Sequence, residues 1–221
     1  MGADMADEAW LATLRQNAAI AVIRSPCLTI GDAMARAVAA GGIRLIEITW
    51  KSDRPAELIH HLRQVLPDCW IGAGTIMTVD DMQTAIAAGS QFLFSPHTDA
   101  ALIHTAISQN VPVIPGALSP SEIVQAWQLG ASSVKVFPIK AMGGADYIRS
   151  LQGPLGQIPL IPTGGVTLDN AALMLEAGAI AVGLSGQLFP SEAIATEAWD
   201  RVTQQARTLV TRLQPQHSVQ R

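Results

Sequence analysis

The chain has 221 residues, of which 49% are hydrophobic and 14% charged, and its formal net charge is −4. This composition excludes an intrinsically disordered protein, which combines low hydrophobicity with high net charge. It also excludes a nucleic-acid-binding protein that works through bulk positive charge, because there is no basic surplus to neutralise phosphates.

No run of about 20 apolar residues occurs, so the sequence predicts neither a membrane-spanning segment nor a membrane partner. The acidic N-terminus differs from the basic start of a signal peptide. Cys27 and Cys69 lack a C-x-x-C spacing. We therefore expect two packed free thiols in a cytoplasmic protein.

The first predicted element is a helix over residues 4–17, which we expect to close the bottom of a barrel. After it, helix-like stretches repeatedly end in glycine and are followed by β-branched or aromatic runs. The pattern occurs at Gly41, Gly89, Gly130 and Gly178, a repeat of roughly 45 residues. Glycine suits the end of a helix because it adopts the left-handed conformation without a Cβ clash.

Apolar runs predict eight strands, at 20–24, 43–49, 71–75, 92–95, 111–115, 134–137, 160–163 and 180–183. Helical periodicity between them predicts helices at 32–40, 55–66, 79–88, 100–109, 120–129, 144–152 and 168–177. Strands that alternate with helices predict an α/β fold, and eight of them favour a closed (β/α)8 barrel over an open doubly wound sheet. No Pro/Ser-rich linker divides residues 1–221, so we expect a single domain with a flexible polar tail at 214–221.

Lys135 interrupts the apolar run Val134–Phe137, in a strand that should be buried on both faces. A buried ammonium ion must pair with an acid or lose its proton. Two interpretations follow: a salt bridge with Glu47 that only fills the barrel, or a nucleophilic amine that forms a Schiff base. Burial and a second cation such as Lys51 favour the neutral, nucleophilic amine.

Glu47 is an acid within the apolar strand 43–49, and strand alternation places it on one face with Thr49 and Lys51. Taken alone, it is equally an ion-pair partner. Beside a Schiff-base lysine, its carboxylate would shuttle protons to and from the substrate.

Two glycine-rich turns follow the last two strands, Gly164-Gly165 and Gly183-Leu184-Ser185. Barrels often bind phosphate at this place through backbone N–H groups, although ordinary tight turns remain the alternative. Among the histidines only His97 falls at a strand end, and no His/carboxylate set accompanies it. We therefore predict no catalytic metal and place His97 in a solvated loop.

These motifs in combination resemble a known family, and the residues that carry the resemblance are Gly41-Gly42-Ile43, Ile46-Glu47-Ile48-Thr49, Gly72-Ala73-Gly74-Thr75, Ser95-Pro96, Ile114-Pro115-Gly116, Lys135-Val136-Phe137-Pro138, Pro162-Thr163-Gly164-Gly165 and Gly183-Leu184-Ser185. Over residues 18–191 the chain resembles the 2-keto-3-deoxy-6-phosphogluconate (KDPG) aldolase / 4-hydroxy-2-oxoglutarate (KHG) aldolase family. These are class I pyruvate aldolases on a (β/α)8 barrel.

The resemblance implies Lys135 as the Schiff-base lysine and Glu47 as the acid/base. It also implies substrate contacts, with Thr75, Pro96 and Phe137 around the pyruvyl group, Arg24 near the mouth, and Gly164, Gly165 and Ser185 at the phosphate. The implied enzyme is a carbon–carbon lyase that cleaves KDPG to pyruvate and glyceraldehyde 3-phosphate. KHG cleavage and oxaloacetate decarboxylation are its implied side activities, and it is a homotrimer without metal or organic cofactor.

Lys51 departs from the pattern of the family, which commonly has an arginine there to grip the substrate carboxylate. Lysine offers a point charge instead of a fork, so substrate orientation should be looser unless Arg54 supplies the fork. Two rival functions stay open at this point: a phosphosugar isomerase or epimerase, and a non-catalytic phosphoester-binding barrel. The apolar helices 100–109 and 120–129 are candidate interface faces, although a stripe facing the core would look the same.

Overall fold

A computed structural model describes residues 2–214, so the predicted flexible tail lies, apart from Gln214, outside the described residues. The helices are α1 (Gly2–Asn17), α2 (Leu28–Ala40), α3 (Pro55–Val65), α4 (Val79–Ala87), α5 (Ala100–Ser108), α6 (Pro120–Gln128), α7 (Ala145–Leu155), α8 (Ala171–Glu176), α9 (Ser191–Ala195) and α10 (Trp199–Leu213). The strands are β1 (Ala19–Ile23), β2 (Leu45–Thr49), β3 (Trp70–Gly74), β4 (Leu93–Phe94), β5 (Val113–Ile114), β6 (Gly116–Ala117), β7 (Val134–Val136), β8 (Leu160–Pro162) and β9 (Val182–Leu184). A 3-10 turn, Ile139–Met142, follows β7.

All strand pairs are parallel, and they form one closed barrel. One run of neighbours is β5-β4-β3-β2-β1-β9 and the other is β6-β7-β8. A bridge between Thr163 and Gly183 joins β8 to β9, while β5 and β6 are consecutive segments of one strand separated by Pro115. The predicted (β/α)8 barrel is confirmed. The predicted fifth strand, 111–115, ends too early, because pairing with β7 resumes after Pro115 at Gly116.

The barrel interior is apolar at the N-terminal ends of the strands, where α1 covers it. Trp10 of α1 is fully buried and donates its indole N–H to Ser133 Oγ at 3.1 Å. Its ring lies 5.0 Å from the Phe92 ring, and the Phe92 and Phe94 rings are 5.8 Å apart. The helix predicted over 4–17 therefore closes the bottom of the barrel, as expected.

The predicted helices are all present, with shifted ends. α6 begins with a capping box: Ser119 Oγ accepts the Glu122 N–H, and the Glu122 carboxylate accepts the Ser119 N–H. Before α8, Thr167 and Asn170 close a turn through two reciprocal hydrogen bonds, so the helix predicted from residue 168 begins later, at Ala171.

Two C-terminal helices, α9 and α10, were not predicted. α10 packs on α2 through Val202, Ala206 and Leu209, a spacing of four and three residues that an amphipathic helix would show.

Glycine ends the helices as predicted at three of the four positions, with φ of +98° at Gly89, +95° at Gly130 and +106° at Gly178. At the first position Gly41 keeps a right-handed conformation, φ −79°. The next residue, Gly42, takes the left-handed one, φ +99°.

The apolar residues of α5 and α6 differ in burial. Leu102 and Ile103 of α5 and Ile123 of α6 are buried within the protomer, so these three side chains are not available to an interface. Ile107 of α5 and Trp127 of α6 are only half-buried. Both cysteines are free, Cys69 buried and Cys27 half-buried. None of the described helices is long and apolar enough to cross a lipid bilayer.

Candidate active site

A cavity of about 600 Å³ opens at the C-terminal ends of the barrel strands. It brings together side chains and turns from both halves of the chain, as expected for a parallel barrel. All ten residues predicted from the sequence line it: Arg24, Glu47, Lys51, Thr75, Pro96, Lys135, Phe137, Gly164, Gly165 and Ser185.

Lys135 sits at the centre of β7, where Gly116 of β6 and Ile161 of β8 are its neighbours in register. It is 6% exposed, and its Nζ lies 5.0 Å from the ring centroid of Phe137 and 5.6 Å from that of Phe94. Among the described residues none forms a salt bridge with Lys135. The interpretation of a direct Lys135–Glu47 ion pair that fills the barrel is therefore wrong.

Glu47 lies in β2 between Val22 of β1 and Gly72 of β3, and is 1% exposed. Its Oε1 has no hydrogen-bond partner among residues 2–214. Burial raises the pKa of the Glu47 carboxyl above its ordinary value, and the nearby positive charge of Lys135 offsets part of that rise. A carboxyl with a raised pKa is protonated more readily than an ordinary one, so it can donate a proton as well as accept one.

A glycine in the neighbouring strand makes room for this carboxyl. A Cβ on Gly74 of β3 would collide with the carboxyl group of Glu47. The glycine of the Gly72–Thr75 motif is thus explained by the acid beside it, since any larger residue would displace the acid. The next residue, Thr75, holds a left-handed backbone, φ +61°, which is uncommon outside glycine and concentrates at functional sites.

Two cations border the mouth of the cavity, Arg24 after β1 and Lys51 after β2. Both are exposed, and within the described part of the chain neither side chain forms a hydrogen bond or ion pair. Arg54 lies outside the cavity and pairs with Asp53 at 3.3 Å and Glu57 at 3.4 Å. The suggestion that Arg54 supplies a fork to the substrate is therefore wrong.

After β8, Gly164 and Gly165 adopt φ of +83° and +98°. Ser185 follows β9, the strand that pairs with β1, and is exposed in the same cavity. A Cβ at Gly164 would come within 2.9 Å of the Phe137 ring. Among the described residues that line the cavity, the basic side chains Arg24, Lys51 and Lys135 outnumber the one acidic side chain, Glu47. This balance favours a ligand with more than one negative charge.

Several lining residues were not assigned a role from the sequence: Val22, Thr49, Thr163, Val166, Thr167, Gly183, Gly186 and Gln187. Thr49, Thr163 and Gly183 stand out as strand-end residues, but Thr167 and Gln187 lie in loops that carry no periodic signal. His97 is half-buried rather than solvated and lines a separate cavity of about 280 Å³. No group of three or more His, Cys, Asp or Glu in residues 2–214 is placed to hold a metal ion.

Comparison with known proteins agrees with this geometry. The family model "KDPG and KHG aldolase" matches residues 11–205. The 2-dehydro-3-deoxy-phosphogluconate aldolase of Dickeya dadantii is 34% identical over 177 residues, which cover 80% of this chain and 83% of the relative. The KHG/KDPG aldolase of Escherichia coli K12 is 30% identical over 177 residues, with the same coverage of 80% and 83%.

A solved structure is also similar. It is the crystal structure of the KDPG aldolase from Legionella pneumophila with pyruvate captured at low pH as a covalent carbinolamine intermediate. It matches with a TM-score of 0.84 and 30% identity, over 90% of this chain and 97% of that one.

We expect Glu47→Gln to remove a pH dependence of stability. Because burial raises the pKa of Glu47 above 4.5, the folded protein holds this proton more tightly than the unfolded chain does. The resulting stabilisation is complete below pH 4.5 and is lost as the pH rises through the raised pKa. Relative to the wild type, the free energy of unfolding of Glu47→Gln in urea should therefore increase as the pH rises above 4.5.

The matched control is Glu8→Gln, since Glu8 is exposed on α1. It should leave the pH dependence of the wild type unchanged. If the difference in the free energy of unfolding between Glu47→Gln and the wild type stays constant over the same pH range, the raised pKa of Glu47 is contradicted.

Proposed function

The chain belongs to the KDPG and KHG aldolase family, and from this premise we propose that it cleaves KDPG to pyruvate and glyceraldehyde 3-phosphate through a Schiff base on Lys135. It is an aldolase, a carbon–carbon lyase. The observation that carries the proposal is the buried amine of Lys135, which forms no salt bridge with an acid of residues 2–214 and lines the cavity that also holds Glu47.

The proposed reaction starts with the attack of the neutral Lys135 amine on the C2 ketone of the substrate. The carbinolamine that forms loses water and becomes an iminium ion. Glu47 accepts the proton of the C4 hydroxyl, the C3–C4 bond breaks, and its electron pair moves into the iminium to give an enamine. Glyceraldehyde 3-phosphate leaves, C3 takes up a proton, and hydrolysis releases pyruvate and regenerates the amine.

The covalent step has support from chemistry and from a relative. Pyruvate was captured as a carbinolamine in the Legionella pneumophila enzyme, and that intermediate requires an amine nucleophile. This chain has three lysines, Lys51, Lys135 and Lys140, and Lys135 alone among them is buried. Lys135 is therefore the lysine that we assign as the nucleophile.

Substrate binding is assigned by charge and shape. The carboxylate next to the ketone would meet the mouth cations Arg24 and Lys51, while Thr75, Pro96 and Phe137 would surround the pyruvyl carbons. The phosphate would bind the backbone N–H groups of the Gly164-Gly165 turn together with the Ser185 hydroxyl, because glycines allow close approach of an anion. Lys51 provides a point charge without a fork, and we expect the carboxylate to be less tightly oriented than it would be by arginine.

Side activities follow from the iminium ion, because it accepts an electron pair from more than one kind of breaking bond. An iminium on Lys135 would accept electrons from a breaking C–CO₂ bond as well as from the C3–C4 bond. We therefore include cleavage of KHG and decarboxylation of oxaloacetate in the proposal, together with the homotrimer that the resemblance implies. An isomerase or epimerase would use Glu47 and the phosphate turn but would leave Lys135 without a role. Membership of an aldolase family equally disfavours a non-catalytic binding barrel.

The first test measures the release of pyruvate from KDPG in an assay coupled to lactate dehydrogenase. The wild type should release pyruvate, and Lys135→Met should lower kcat at least about 10³-fold because the nucleophile is gone. Lys140→Met, which removes an exposed lysine outside the cavity, should retain kcat within about threefold. A wild type that interconverts a phosphosugar without releasing pyruvate supports the isomerase instead.

The second test concerns the phosphate. KDPG should have a kcat/KM at least about tenfold above that of KHG, since KHG leaves the glycine turn and Ser185 without an anion. Ser185→Ala should raise KM for KDPG by about threefold or more and leave KM for KHG unchanged. If the two substrates are used equally well by the wild type, the assigned phosphate site is wrong.

A further inference from the structure

The two loops that carry the mouth cations are bound to each other by buried serines. The Ser25 N–H donates to Ser52 Oγ at 3.1 Å, and the Asp53 N–H donates to the Ser25 carbonyl at 3.0 Å. Ser25 and Ser52 are only 2% and 8% exposed, although both lie in loops. Buried loop backbone must find partners of this kind, because water does not reach it.

Ser52 is also fixed to the end of β2. Its N–H donates to the Thr49 carbonyl at 2.9 Å, and its hydroxyl lies 3.4 Å from Thr49 Oγ1. Ser25 in turn is fixed within its own loop, since its hydroxyl donates to the Cys27 carbonyl and accepts the Cys27 N–H. The Ser52 hydroxyl is therefore the side-chain group that joins the loop after β1, the loop after β2 and the strand end.

Each mouth cation is the residue next to one of the two linked serines. Arg24 precedes Ser25, and Lys51 precedes Ser52. Both side chains line the cavity without a partner among the described residues. Two like charges repel, and long exposed side chains lose rotamer freedom when they bind. With no side-chain contact to hold them, the distance between the two cations depends on the backbones that Ser52 joins.

We propose that Ser52 is a positioning residue that holds Arg24 and Lys51 at the spacing needed to bind one substrate carboxylate. The identity of the substrate rests on the proposed function, whereas the link between the loops does not. Alanine at position 52 would leave the buried Ser25 N–H without an acceptor. The backbone hydrogen bond from Asp53 to Ser25 would remain, so the loops would stay in contact but shift relative to each other or admit water. Threonine would keep the hydroxyl and therefore the link.

The test compares Ser52→Ala with Ser52→Thr and with Ser90→Ala. Ser90 is a matched control, because it is 6% exposed and its hydroxyl has no partner in residues 2–214. With KDPG, Ser52→Ala should raise KM by about tenfold and change kcat by less than about twofold, since the groups that react stay in place. Ser52→Thr should restore KM to within about twofold of the wild type, and Ser90→Ala should match the wild type.

Pyruvate gives a second readout that needs no sugar acid. It has the same carboxylate next to a ketone, so the pyruvate concentration for half-maximal inactivation with borohydride should also rise about tenfold in Ser52→Ala. One outcome is that the wild type fails to cleave KDPG while Ser52→Ala still needs more pyruvate than the wild type for half-maximal inactivation. In that case the proposed substrate is wrong and the role of Ser52 stands. If the wild type cleaves KDPG and both constants of Ser52→Ala equal those of the wild type, Ser52 has no positioning role.

Two other results also overturn the proposal. One is a loss of kcat in Ser52→Ala at unchanged KM, which places its effect on the chemical step. The other is an equal rise of KM in Ser90→Ala, which indicates general loosening of the barrel. Melting temperatures of all three variants separate this loosening from the specific effect, because a general loss of stability lowers the melting temperature without selecting the cations.

Discussion

The barrel encloses one amine and one carboxyl that do not neutralise each other through a direct ion pair. Lys135 and Glu47 are 6% and 1% exposed, and Glu47 Oε1 lacks a hydrogen-bond partner among the described residues. A barrel selected for stability alone would fill this space with apolar side chains, because unpaired buried charge is costly. The cost is understandable where the amine must attack a carbonyl and the carboxyl must move a proton. Both groups are then kept away from bulk water but within reach of a substrate.

The two ends of the barrel differ: the N-terminal end is packed with apolar side chains, and the C-terminal end holds the candidate active site. Below Lys135 the rings of Phe94, Phe92 and Trp10 follow one another toward the N-terminal end, with neighbouring centroids 5.8 Å and 5.0 Å apart. Lys135 Nζ lies 5.6 Å from the Phe94 centroid, at the top of this stack. The aromatic rings exclude water from beneath the amine, while the C-terminal end stays open and positively charged. An anionic keto acid can therefore enter from one side only.

Much of this site was predictable because polar residues interrupt apolar strands. Lys135 and Glu47 stand out for that reason, and parallel strands bring their C-terminal ends to one place. The glycine turns at Gly164-Gly165 and near Ser185 were predictable from their position after the last two strands. These signals are local in the sequence, and barrel closure converts them into a cavity without further information.

Other features depend on contacts between distant segments and have no local signal. The break at Pro115 lies where the strand changes from pairing with β4 to pairing with β7, and α10 packs against α2, which is distant in sequence. The failure of Arg54 to reach the cavity reflects its pairing with Asp53 and Glu57. Ser25 and Ser52 look like ordinary loop serines until the fold brings the two loops together.

The most direct measurement is to incubate the protein with pyruvate and borohydride and to map the modified peptide by mass spectrometry. The three lysines, Lys51, Lys135 and Lys140, lie in different surroundings, and two of them are exposed. The account predicts one adduct, on Lys135, with the mass of pyruvate less one water plus two hydrogens. An unmodified Lys135, or an adduct confined to the exposed lysines, would contradict it.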